Sequence, residues 1–203
     1  MFGLVRLIIS AVFFSVLILI IKKKKTKNEN YYKAGTTIAA VLLFTALSLF
    51  PFENAVITFK SPEAAYQYLH FSKSSLTVSG KTTDLAVSNR GGREKIEILQ
   101  KTKNGWKLPR KINAVISNVT VHKDISVYTW HYATSDDYFI VISSLDANNQ
   151  KLAVKDTLDS EVLSITTDSP AAKDGLITYF LTVSKPDLKY RVTVNGMDFF
   201  INE

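Results

Sequence analysis

Two apolar runs open the chain. Phe2 to Ile21, FGLVRLIISAVFFSVLILII, has 20 residues and one charge, Arg6. At 1.5 Å per helical residue such a run reaches about 30 Å, the thickness of a bilayer's hydrocarbon core. Ala34 to Phe52, AGTTIAAVLLFTALSLFPF, has 19 residues and no charge, with Pro51 as its stop. Neither run has the polar face that a helix on a soluble surface shows. A cleaved signal peptide would place its basic cluster ahead of the apolar run and a small-residue cleavage site after it; here the lysines follow. The pattern predicts a two-helix membrane anchor over 1–52.

Beyond it the period changes. In SPEAAYQYLHFSK, Ser61 can cap, Pro62 suits a first turn, Glu63 faces the positive end of the dipole, and Ala65, Tyr66 and Leu69 share a face. This predicts a short helix. From Leu76 onward the period is two. EKIEILQKTKNGWKL alternates Ile96 and Ile98 with charged neighbours and turns at Asn104-Gly105. LKYRVTVNGMDFFI puts Leu188, Tyr190, Val192 and Val194 on one face and turns at Asn195-Gly196. Further strands are predicted at 114–122, 126–132, 138–145, 161–166 and 177–184. The whole reads as two N-terminal transmembrane helices followed by a mainly antiparallel, β-sandwich-like extracytoplasmic domain with one short helix. It divides either into a small α+β lobe, 53–110, and a sandwich-like lobe, 111–203, jointed at Pro109-Arg110-Lys111, or into one domain, 53–203. The second half is similar to immunoglobulin-like sandwiches in general manner, without their Cys-Trp-Cys framework.

Charge sets the topology. Of 25 basic and 18 acidic side chains, residues 1–52 hold seven and one, leaving 18 and 17 for the rest. The connector, 22–33, contains Lys22, Lys23, Lys24, Lys25, Lys27 and Lys33 against Glu29, whereas 53–72 offers only Lys60. Short-loop lysines stay cytoplasmic, so the expected arrangement puts the connector inside and the N-terminus and C-terminal domain outside. The net charge of +7 is then a topology signal, and no nucleic-acid partner is expected. The expected partners are the lipid bilayer and either another membrane protein or an envelope polymer. Cysteine is absent, and lysine outnumbers arginine 20 to 5. An outward-facing domain without disulfides leans bacterial.

Chemistry is sparse. There is no G-x-S-x-G, S-x-x-K or H-E-x-x-H, so a nucleophile would depend on His70, His122 or His131. His122, Asp124 and His131 have no metal-ligand spacing. DANNQKLAVKDT begins like a calcium loop at Asp146 and Asn148, but has Lys151 where glycine is needed and Thr157 where the glutamate should be. It reads as a polar turn, as do Asp156 and Asp159. No cofactor, metal or catalytic residue is assigned. Two ligand-binding features remain. Arg90 and Arg93 flank Gly91-Gly92, a turn that suits a phosphate or carboxylate. Tyr128, Trp130 and Tyr132 share one strand face, either a stacking platform or a core face. The function expected is non-catalytic binding of a protein partner or envelope component. The alternatives are an accessory subunit of a membrane transporter or sensor, and a cell-envelope hydrolase using one of the three histidines.

Overall fold

The computed structural model describes residues 4–23, 29–49, 51–90, 93–109, 114–122, 125–144, 151–169 and 172–201. The chain divides into two units, Met1–Ile57 and Thr58–Glu203.

In the first unit, α1 (Leu4–Lys23) and α2 (Glu29–Leu49) contact each other, and a 3-10 turn, Phe52–Ala55, follows Pro51. α2 begins five residues before the expected Ala34, because Glu29 to Lys33 contains nothing that stops a helix. The lysine-rich connector is correspondingly shorter than 22–33: Lys22 and Lys23 belong to α1 and Lys33 to α2. Lys24, Lys25 and Lys27 lie outside the described residues. Among the described residues no helix is long and apolar enough to cross a membrane, so the fold by itself establishes two helices and not two spans.

The second unit is mainly antiparallel β. Its helix, α3 (Pro62–His70), starts as expected: the Ser61 hydroxyl accepts from the Ala64 N–H, and Pro62 occupies the first turn. It ends at Phe71, held in the left-handed region at φ 54. Four strands then form one sheet in sequence order: β1 (Leu76–Ser79), β2 (Thr83–Arg90), β3 (Arg93–Thr102) and β4 (Gly105–Lys107). A five-stranded sheet follows, made of β5 (Ala114–His122), β6 (Ile125–Tyr132), β7 (Asp137–Ser144), β9 (Leu163–Ser169) and β10 (Ala172–Ser184), in the order β5-β6-β7-β10-β9. The third sheet runs β12-β11-β8, with β8 (Val154–Asp156), β11 (Arg191–Val194) and β12 (Met197–Phe200).

Alternation sorts the side chains into layers. Ala65 and Tyr66 of α3 pack on Ala86, Leu99 and Leu108 of the four-stranded sheet. The opposite face of that sheet, with Val78, Leu85, Val87 and Ile98, meets Tyr132, Phe139, Val141 and Phe180 of the five-stranded sheet. The far side of the five-stranded sheet, with Val127, Ile140, Ile142 and Leu181, meets Tyr190, Val192, Val194 and Phe199. The order is helix, sheet, sheet, sheet, and the five-stranded sheet is covered on both faces.

Three local expectations shift. The first hairpin pairs Thr102 with Gly105, so its loop is Lys103-Asn104 and not Asn104-Gly105. Gly105 is needed as the first residue of β4: its φ is +130, and a Cβ there would collide with the Phe59 carbonyl, whose residue bridges to Trp106. Leu188 does not join Tyr190 in a strand. Pro186 and a turn bond from the Tyr190 N–H to the Asp187 carbonyl delay β11 to Arg191 and leave Leu188 82% exposed. Val154–Asp156, expected within a polar turn, is strand β8 and pairs with Val192–Val194. The second hairpin is as expected, with Asn195 and Gly196 at φ 50 and 81 between the paired Val194 and Met197.

Phe180 lies fully buried between the four- and five-stranded sheets. Phe180→Ala is expected to lower the unfolding free energy by about 3–5 kcal/mol. Chemical denaturation followed by tryptophan fluorescence checks this, and a loss below about 1 kcal/mol would contradict the layered packing.

Candidate functional site

The residues singled out in the sequence go to different places. Tyr128, Trp130 and Tyr132 do share one face of β6, and that face looks into the layer between the four- and five-stranded sheets. Tyr132 is buried, while Tyr128 and Trp130 are half-buried and meet edge to face at 6.5 Å. The Trp130 indole N–H is buried without an acceptor among the described residues. The other side of β6, expected to be the more polar one, is also largely buried: Val127 belongs to the far core, Thr129 is buried and His131 is half-buried. Arg90 and Arg93 pair directly across the end of the β2–β3 hairpin. Gly91-Gly92 between them, and both arginine side chains, lie outside what is described.

The histidines are scattered. His70 ends α3; its Nε2 lies 3.0 Å from Glu97 Oε1, and its ring lies 4.5 Å from that of Tyr66. The nearby hydroxyl pair, Tyr66 and Ser88 at 2.6 Å, is buried and committed: Tyr66 also donates to the Lys95 carbonyl at 3.2 Å. His131 stacks on Tyr138 at 4.7 Å with a buried Nδ1 that has no partner among the described residues. Burial pushes its pKa below the ordinary 6.5. The His122 side chain and Asp124 lie outside the described residues, as does 146–150 of the calcium-like stretch. Among the described residues no group of His, Asp or Glu converges to hold a metal ion.

What sequence reasoning missed is a set of buried carboxylates. Asp137 opens β7, and its oxygens accept three consecutive backbone N–H groups, from Lys81 at 3.0 Å, Thr82 at 2.7 Å and Thr83 at 2.9 Å. The hydroxyl of Thr82 adds a bond at 2.8 Å. Consecutive amides of this kind form an anion-binding nest, and here the chain fills it with its own carboxylate. Gly80 makes the approach possible, because a Cβ there would stand 2.7 Å from the Asp137 carboxyl carbon. Burial alone would raise the Asp137 pKa; the amides of Thr82 and Lys81, the Thr82 hydroxyl and the Thr83 amide together hold it below the ordinary 3.8.

Two further carboxylates behave alike. Asp84, buried, accepts from Trp106 Nε1 at 2.6 Å and pairs with Lys101 Nζ at 2.8 Å. Asp156 accepts from the N–H groups of Leu158 and Ser160, the Ser160 hydroxyl at 2.6 Å and the Tyr190 hydroxyl at 2.7 Å. Burial, opposed by the Ser160, Tyr190 and Leu158 bonds, leaves Asp156 lowered. Burial and that carboxylate push Tyr190 far above its ordinary value.

The Asp156 knot fixes two loops, 157–162 and 185–190, which enclose a groove of about 330 Å³. Thr157, Leu158, Lys185, Pro186, Lys189 and Tyr190 are among its lining residues. Lys185 is paired with Asp136 at 3.1 Å, and Leu158 on the wall is 64% exposed. Among the described residues the groove's lining brings together no histidine and no hydroxyl beside a histidine, and its polar groups come from Thr157, Lys185, Asp187, Lys189 and Tyr190. No family model matches the chain, and neither the curated proteins nor the solved structures hold a match.

Asp137→Ala would strand three amides, that of Thr83 buried, and its expected cost is about 2–4 kcal/mol of unfolding free energy; Asp137→Asn, which keeps an acceptor oxygen, should cost less. The pH dependence follows from the same groups. Asp137 and Asp156 are lowered on folding, so their stabilisation is complete above the ordinary 3.8 and is lost as pH falls through the folded values. His131 is also lowered: the unfolded chain takes up its proton first, so stability declines as pH drops below 6.5. Denaturation at a series of pH values should show a shallow limb below 6.5, removed by His131→Phe, and a steep one below 3.8.

Proposed function

We infer that the chain is a bacterial membrane-anchored protein, with α1 and α2 as its spans and its β unit outside the cytoplasmic membrane. The β unit acts without catalysis, binding a protein partner or an envelope component. The observation that carries the reading is the surface of α1. Its exposed positions include Ile8, Ile9, Val12, Phe14, Val16, Ile18, Leu19 and Ile20, which at about 100° per residue spread around most of the helix. In water an apolar surface of that extent would be a liability, whereas hydrocarbon matches it.

The hydroxyls support the same solvent. Ser15, Thr36 and Thr45 each donate to the carbonyl four residues back, on Ala11, Tyr32 and Val41. Polar groups in lipid must be satisfied within the segment. Tyr31 and Tyr32, exposed at the start of α2, suit the aromatic belt at a membrane interface, beside the lysines that argue for a cytoplasmic connector. The absence of catalysis rests on the dispersal of His70 and His131 to separate layers and on the commitment of Asp84, Asp137 and Asp156 to internal bonds.

Alkaline carbonate extraction of cell membranes tests the anchor. The full chain is expected to stay in the pellet, and a chain beginning at Thr58 to be released. Release of the full chain by carbonate would end the reading.

A further inference from the structure

The three sheets leave six edge strands among the described residues, and five of them are blunted. β1, β4, β8 and β12 are only four, three, three and four residues long, and β4 is also bridged by Phe59. β5 is longer, but its pairing with β6 slips between Ser117 and Thr120. Shortness and bulges are what keep open edges from accepting foreign strands.

β9 is the least protected, because its one register shift falls at its end. Leu163 through Thr167 keep unbroken register with Phe180 through Leu176, and the shift begins only beyond Thr167. The strand LSITTDS contains no proline and no lysine, and its one charge is Asp168. Every second residue of such an edge aims its N–H and C=O outward, and among the described residues no strand pairs with that side.

The side chains indicate what fits. Leu163 and Ile165 pack on the layer between the four- and five-stranded sheets yet stay partly exposed, while Ser164 and Thr166 face the other way and are exposed. A strand laid beside β9 must continue both faces, with apolar residues on the first and small polar residues on the second. β9 itself has that alternation. We propose that β9 is an edge through which two copies of the chain join their five-stranded sheets, β9 against β9, antiparallel about a two-fold axis. Such an interface is isologous and closes at two copies. One strand pair buries too little for a stable complex in dilute solution; confinement to a membrane plane raises the effective concentration, so the proposal rests on the anchoring reading.

The chain has no cysteine, which makes the test clean. Ser164→Cys and Thr166→Cys variants of the full chain, treated in native membranes with a short bis-maleimide, are expected to give several-fold more crosslinked dimer than Lys155→Cys, an exposed position on the β8 edge. Adding Ser164→Lys to Thr166→Cys should abolish the dimer while leaving the circular dichroism spectrum unchanged, because like charges then meet across the edge. A yield no greater than that of Lys155→Cys, a ladder beyond two copies, or capture of a different polypeptide in place of the dimer would each overturn the proposal. Carbonate extraction of the same membranes separates the two ideas. If the chain is released, anchoring has failed, and crosslinking of the concentrated purified chain decides the pairing alone.

Discussion

The five-stranded sheet has cores on both faces, and most of the second unit follows from that constraint. Its inner strands cannot alternate apolar with polar in the ordinary way, because both faces are interior. β7 meets the demand with Tyr138, Phe139, Ile140, Val141 and Ile142 in succession, and β10 with Tyr179, Phe180 and Leu181. Polar groups at the rims of these layers must then be satisfied within the protein. Asp137, at the first residue of β7, does this while tying the turn after β1 to the central sheet. Asp156 does the same for the loops around the third sheet.

That use of carboxylates bears on function. A buried, shifted acid in a cleft is a usual sign of a catalytic site. Here Asp137 and Asp156 have lowered pKa values because they accept several hydrogen bonds each, and among the described residues no histidine bonds to either. The shifts belong to architecture. The surfaces that the proposed binding role would draw on are the groove beside the Asp156 knot and the edge at β9.

Much of the second unit was legible in the sequence because its signals are local. Ser61 and Pro62 marked the start of α3, Asn195-Gly196 marked a hairpin, and most long strands lie within a few residues of their expected positions. The layering was not legible. Thr129 and His131 looked like a polar face on β6, and only the third sheet, assembled from β8, β11 and β12, makes that face interior. β8 was hidden because three residues give no period, and Leu188 was misassigned because alternation continued through a turn set by Pro186 and Asp187. Within the candidate site, the shared face of Tyr128, Trp130 and Tyr132 could be read in advance. The groove could not, since its walls come from loops some 30 residues apart.

The central proposal makes α1 and α2 membrane helices, with the lysine-rich connector inside and the β unit outside. With no native cysteine, two single-cysteine variants settle it in intact cells exposed to a membrane-impermeant maleimide. Asn195→Cys, at the exposed tip of the last hairpin, should be labelled at once, and Thr26→Cys, in the connector, only after the cells are permeabilised. The opposite pattern, with Thr26→Cys labelled in intact cells and Asn195→Cys protected, would contradict the account.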